Sequence, residues 1–179
     1  MNFIETINES SKELKKVKSI TGSALFAAMN IILDYFKIVV STSLEISFAF
    51  LALAVGGMLY GPVVTAILGG VADVVTFLIK PNGFFFPGFT FNTMLSGFIY
   101  GMFLYKKQIT LKRVALAVLT TTVVINLILT PIWLNIMYGN ALFAVVRVVK
   151  NAIQYPINVA LCYVVCKNVG TVRSKILNN

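Results

Sequence analysis

The chain has no histidine, only two cysteines and only six acidic residues in 179. Without an imidazole the commonest metal ligand, the usual proton shuttle near neutral pH and the usual base for a serine or cysteine nucleophile are all missing. Cys162 and Cys166 stand four residues apart with no third thiol. They are too few for a metal cluster or disulfide framework and read as small apolar fillers. No G-x-x-x-x-G-K-[ST] phosphate loop and no G-x-S-x-G nucleophile turn occurs, so the chain has no ATPase motif of its own. An enzyme is disfavoured, and no cofactor or metal is expected.

What is present is apolar surface. Hydrophobic residues make up 58% of the chain and mean hydropathy is +0.88, well above the roughly 45–50% apolar usage of soluble domains. The composition is that of an integral membrane protein. The net charge of +9 does not point to nucleic acid, because the cations are clustered between apolar stretches. Lys12, Lys15, Lys16 and Lys18 precede the first stretch, Lys106, Lys107, Lys112 and Arg113 share one link, and Lys167, Arg173 and Lys175 fall at its end. This layout follows the excess of cations on the cytoplasmic side of membrane proteins.

Residues 1–17 read as a polar, weakly amphipathic cytoplasmic lead-in, without the pattern of a cleaved signal peptide. Residues 18–168 read as one transmembrane substrate-binding domain and 169–179 as a basic cytoplasmic tail. Within the domain, apolar stretches at about 19–40, 44–60, 62–80, 90–105, 112–132 and 142–166 predict an all-α bundle of six transmembrane helices in the lipid bilayer, with both termini cytoplasmic. Tyr60-Gly61-Pro62, Lys80-Pro81-Asn82-Gly83 and Tyr138-Gly139-Asn140 supply breaks. This threading puts eleven of the fifteen basic residues inside and leaves Lys37, Lys80, Arg147 and Lys150 toward the outer half.

The last stretch carries Arg147, Lys150, Asn151, Gln154 and Asn158. At 100° per residue these positions occupy a sector of roughly 100°, a single polar stripe. Charge at membrane depth costs about 2.5 kcal/mol or more and usually lines a cavity or pathway, so the stripe is the leading candidate for a ligand site. Asp73, among Gly69, Gly70 and Ala72, must find a partner. It either pairs with Arg147 or accepts adjacent N–H donors from a ligand's amino-heterocycle. Phe84-Phe85-Phe86-Pro87-Gly88-Phe89 is either an interfacial belt or an aromatic flap over a planar ligand. Asn92, Ser96 and Tyr100 follow on one helix face as hydrogen-bonding groups or interhelical glue. Trp133 and Tyr138 are interface anchors or a pocket wall. In the first stretch, Ser23/Ala27 and Ala24/Ala28 form overlapping small-x-x-x-small pairs that allow close helix approach. Asn30, Asp34 and Lys37 lie roughly 130° from the Ala24/Ala28 midpoint, so a polar face turned into the bundle turns these alanines out. Gly57/Gly61 and Gly97/Gly101 have the same spacing and read as internal packing.

Taken in order, the A-x-x-x-A pair Ala24/Ala28, Tyr60-Gly61-Pro62, Gly69-Gly70-Val71-Ala72-Asp73, Phe85 through Thr90, Gly97 through Gly101, Pro131-Ile132-Trp133-Leu134 to Tyr138-Gly139, and Arg147 through Asn151 with Pro156-Ile157 resemble the substrate-binding S components of energy-coupling factor (ECF) vitamin transporters, and within them the folate-specific branch. The resemblance implies a non-enzymatic subunit of a bacterial cytoplasmic membrane. It would capture folate at the outer face and deliver it to a transmembrane coupling protein with two cytoplasmic ATPases, and Ala24 and Ala28 would meet the coupling protein. Folate suits the residues: its pterin edge offers paired donors to Asp73, Asn92 or Gln154, its anionic tail suits Arg147 or Lys150, and Phe89, Trp133 and Tyr138 could stack on its rings. The alternatives are an S component for thiamine, a pyrimidine precursor or riboflavin, a membrane enzyme or scaffold with a structural stripe, and a self-contained secondary transporter. A cationic ligand sits badly beside Arg147 and Lys150.

Overall fold

A computed structural model describes residues 2–41, 44–81, 83–139 and 145–177, with the side chains of 38–41, 44–46, 138, 145, 146, 173, 176 and 177 outside that description. The chain is helical apart from one short hairpin. Helix α1 (Phe3–Glu13) leads into α2 (Val17–Tyr35), followed by antiparallel strands β1 (Ile38–Ser41) and β2 (Leu44–Ile46). Then come α3 (Ala49–Tyr60), α4 (Pro62–Ile79), α5 (Pro87–Leu104), α6 (Leu111–Thr121), a π-helical segment (Thr122–Leu129), α7 (Thr130–Tyr138) and α8 (Val145–Leu177). Among the described residues, Val17–Tyr35, Pro62–Ile79 and Leu111–Met137 are long and apolar enough to cross a bilayer.

The boundaries differ from the sequence reading where local chemistry competes with hydropathy. The apolar stretches placed at 19–40 and 44–60 stop at Tyr35 and start at Ala49, because the β-branched run between them pairs as the hairpin, with Ile38 opposite Ile46. Prolines at the first positions of α4 and α5 set their starts, and Gly139, left-handed at φ 64, ends α7. Helix α8 continues through most of the segment read as a tail.

Residues 1–17 are more than a lead-in. Thr6 and Ser10 of α1 are fully buried, and Ser10 Oγ donates to the Tyr60 carbonyl at 2.9 Å while accepting from the Val63 amide at 3.0 Å. Gly61 turns the chain at φ 86 and has no side chain with which to cap α4. Ser10, more than fifty residues earlier, therefore does the work of an N-cap. Glu9 bonds Lys106 at 2.9 Å and Lys12 at 2.9 Å, which holds its carboxyl down to about 2. Ser10→Ala is expected to cost about 1–2 kcal/mol, seen as an apparent melting temperature lowered by about 2–8 °C in detergent.

The core lies where α3, α4, α5, α6 and α8 meet and includes Leu53, Met58, Leu68, Leu104, Val114 and Val118. Cys162 and Cys166 fill it as fully buried free thiols whose sulfurs form a hydrogen bond at 3.9 Å. Lipid gives helices no hydrophobic drive to associate, so α3, α4 and α5 rely on backbone proximity. A Cβ on Gly57 would come within 2.7 Å of the Gly101 nitrogen, and one on Gly97 would run into the Thr65 carbonyl. This cluster is internal packing, as its spacing suggested. On α2, Ala27 packs against the core while Ala24 and Ala28 are exposed, which separates the two overlapping small-residue pairs.

Candidate ligand-binding cavity

The polar stripe of α8 opens onto a cavity of about 640 Å³, within the usual size range of small-molecule sites. Arg147, Lys150, Asn151, Gln154 and Asn158 all line it, so the periodicity that put them on one face also put them on one wall. Asp73 from α4 and Phe89 from α5 line it as well.

Asp73 is held by hydroxyls rather than by a cation. Its Oδ2 accepts from Thr90 Oγ1 at 2.7 Å and its Oδ1 from Thr93 Oγ1 at 3.2 Å. Both threonines stand in the first two turns of α5, where the helix dipole also favours negative charge. Among the described residues no ion pair joins Asp73 to Arg147. Each carboxylate oxygen keeps lone-pair capacity for a further donor.

The aromatic segment forms a second wall. Phe85, Phe86 and Phe89 line the cavity, Phe86 packs edge-on against Phe89 with centroids 6.0 Å apart, and Phe85 packs on Phe77 at 5.0 Å. Trp133 and Asn92 stand behind this wall instead of on it. Trp133 meets Phe86 at 5.7 Å and its Nε1 donates to Asn92 Oδ1 at 3.0 Å, while Asn92 Nδ2 donates to Thr130 Oγ1 at 3.2 Å. Both therefore brace Phe86 and Thr130, which do face the cavity. Tyr138 closes α7, and its side chain lies outside the described residues.

Several lining residues were not singled out from sequence. Asp34 accepts from Ser47 Oγ at 2.9 Å, and Lys37, Lys80, Thr76, Thr122 and Asn126 also border the cavity. For Asp34 a signal existed, since it shares the polar face of α2 with Asn30, but it served only to orient that helix; Lys37 follows two residues after the end of α2. Asn126 interrupts Val123-Val124-Ile125 and Leu127-Ile128-Leu129, and a lone amide in such a run needs a polar partner. Among the described lining residues, four cations (Lys37, Lys80, Arg147, Lys150) stand against two carboxylates (Asp34, Asp73), a formal excess of two positive charges. Such a site favours an anionic solute with an aromatic body and a hydrogen-bonding edge.

Comparison with known proteins follows the same line. Residues 18–166 match a family described as the ECF transporter, substrate-specific component. The chain is 37% identical over 167 residues to the folate transporter FolT of Clostridium novyi (strain NT), spanning 92% of this chain and 96% of that one. It is 34% identical over 154 residues to the folate transporter FolT of Leuconostoc mesenteroides, spanning 81% and 82%. Its structure is similar to a crystal structure of FolT bound with folic acid, with a TM-score of 0.80 and 42% identity over 86% of this chain and 95% of that one.

Proposed function

As the chain belongs to the family of ECF transporter substrate-specific components, we propose that it captures folate in the cavity of α4, α5, α8 and the π-helical segment for uptake into the cell. The observation that carries this reading is the cavity's composition: an excess of two positive charges, a hydroxyl-held carboxylate and an aromatic wall in one space of about 640 Å³. Folate has the complementary parts. Its glutamate tail carries two carboxylates for Arg147 and Lys150, Arg147 being able to hold one through paired bonds. Its pterin presents adjacent N–H donors that match the free lone pairs of Asp73, and its rings suit Phe86 and Phe89. Asn151 and Gln154 lie between, and Asn92 and Trp133 act by supporting the wall.

The same reading supplies the rest of the transport cycle. In this reading α2, α3, α4, α5, the run from α6 to α7, and α8 are six spans, both termini and the basic link at 106–113 are cytoplasmic, and the cavity opens outward; the clustering of the cations supports it. The chain has no nucleotide-binding loop, so the energy comes from a coupling protein with two ATPases, which meets the exposed Ala24/Ala28 face of α2. Thiamine, a cation, is disfavoured by the charge of the cavity.

Side-by-side calorimetry of folate, thiamine and riboflavin on the detergent-purified protein tests the assignment. Folate is expected to bind at least about 100-fold tighter than the other two, a gap of about 2.7 kcal/mol. Tight binding of another vitamin with no folate binding refutes it.

A further inference from the structure

The π-helical segment brings one side chain into the cavity that the folate reading leaves without a role. Thr122 and Asn126 of the π segment and Thr130 at the start of α7 stand four residues apart and all line the cavity. π turns recur at functional sites, and here the distorted turn sits opposite the N-terminal turns of α8.

Asn126 Nδ2 donates to Asn151 Oδ1 at 3.2 Å, and Asn151 Nδ2 donates onward to the Arg147 carbonyl at 2.9 Å. The bridge thus runs from the π segment through a side chain only 8% exposed to the backbone of Arg147. Arg147 and Asn151 stand four residues apart on α8, so the bridge ties this turn of the helix to the π segment. The Arg147 guanidinium is long and rotatable, and without a fixed backbone origin it loses the pre-organisation that makes a bidentate grip effective.

We infer that Asn126 is a positioning residue: through Asn151 it anchors the Arg147–Asn151 turn of α8 and so sets Arg147 where it meets the carboxylate tail of the ligand. The inference rests on the folate reading and goes beyond it by giving the π turn a purpose and Asn126 an effect confined to one end of the ligand.

The test compares folate with pteroate, which keeps the pterin and benzoate and lacks the glutamate. In Asn126→Ala, folate affinity is expected to fall about 10-fold and pteroate affinity less than about 2-fold. In an Arg147→Ala background the same substitution is expected to cost folate less than about 2-fold, because coupled residues are not additive. Asn126→Leu, which keeps the volume and suits the apolar helix, covers an alanine variant that does not fold, and the same pattern is expected. Equal losses for folate and pteroate, additive losses with Arg147→Ala, or no loss at all would each overturn the positioning role. A wild-type protein that binds no folate would overturn the folate reading and this inference together, whereas wild-type binding with any of those three patterns overturns this inference alone.

Discussion

Arg147→Ala is expected to weaken folate binding about 30- to 150-fold, measured by calorimetry or by quenching of intrinsic fluorescence. A charge-assisted hydrogen-bonding contact contributes about 2–3 kcal/mol where water is partly excluded, and about 1.4 kcal/mol corresponds to a factor of ten. The effect should exceed that of a surface ion pair, since Arg147 is half-buried in a cavity and no carboxylate among the described residues engages it. Arg147→Lys should recover only part of the loss, because an ammonium keeps the charge but not the paired geometry. Pteroate should be nearly indifferent to both changes. Unchanged folate affinity in Arg147→Ala, in a protein of unaltered melting temperature, would remove Arg147 from the tail site and leave Lys150 or Lys37 to hold it.

Ala24→Trp is expected to reduce folate uptake in cells to background while leaving folate affinity in detergent within about 2-fold of the wild type. Ala24 and Ala28 are exposed on α2, on the side away from Asn30, which is buried and donates to the Ala49 carbonyl at 2.8 Å. A bulky ring at Ala24 adds volume facing lipid, where it neither touches the cavity nor disturbs the core. Small residues at this spacing let a second helix approach closely, and one indole is enough to hold the two backbones apart. Ala27→Trp is the control. It packs against the core, so it should impair folding and with it both uptake and binding. Loss of binding in Ala24→Trp would assign that face to the protein's own packing, and normal uptake would move the coupling surface elsewhere.

How far the sequence could be read follows from the range of each interaction. The α8 stripe and the outward turn of Ala24/Ala28 depend on helical periodicity alone, and both were visible before any coordinates. So was the filling role of Cys162 and Cys166, which needed only their spacing and the absence of other thiols. The hairpin at 38–46 was missed because its β-branched residues score as membrane-like in any hydropathy average. The π turn was hidden for a related reason: nothing in Thr122–Leu129 distinguishes it from an ordinary apolar helix except Asn126, whose partner lies twenty-five residues away. Asn92 and Trp133 were expected to contact a ligand directly, yet neither lines the cavity. Whether each faces it or braces it is decided by the mutual hydrogen bond of two helices, which no local pattern encodes.

Ser10 also has a bearing on the order of biosynthesis. The amides that begin α4 and the carbonyl that ends α3 receive their hydroxyl from a helix translated some fifty residues earlier. That helix must therefore wait at the membrane surface while two apolar segments and a hairpin are made and inserted behind it. Only when the turn at Gly61 emerges can the bond close. The docking of α1 thus waits on the α3–α4 turn and precedes the completion of α5 to α8.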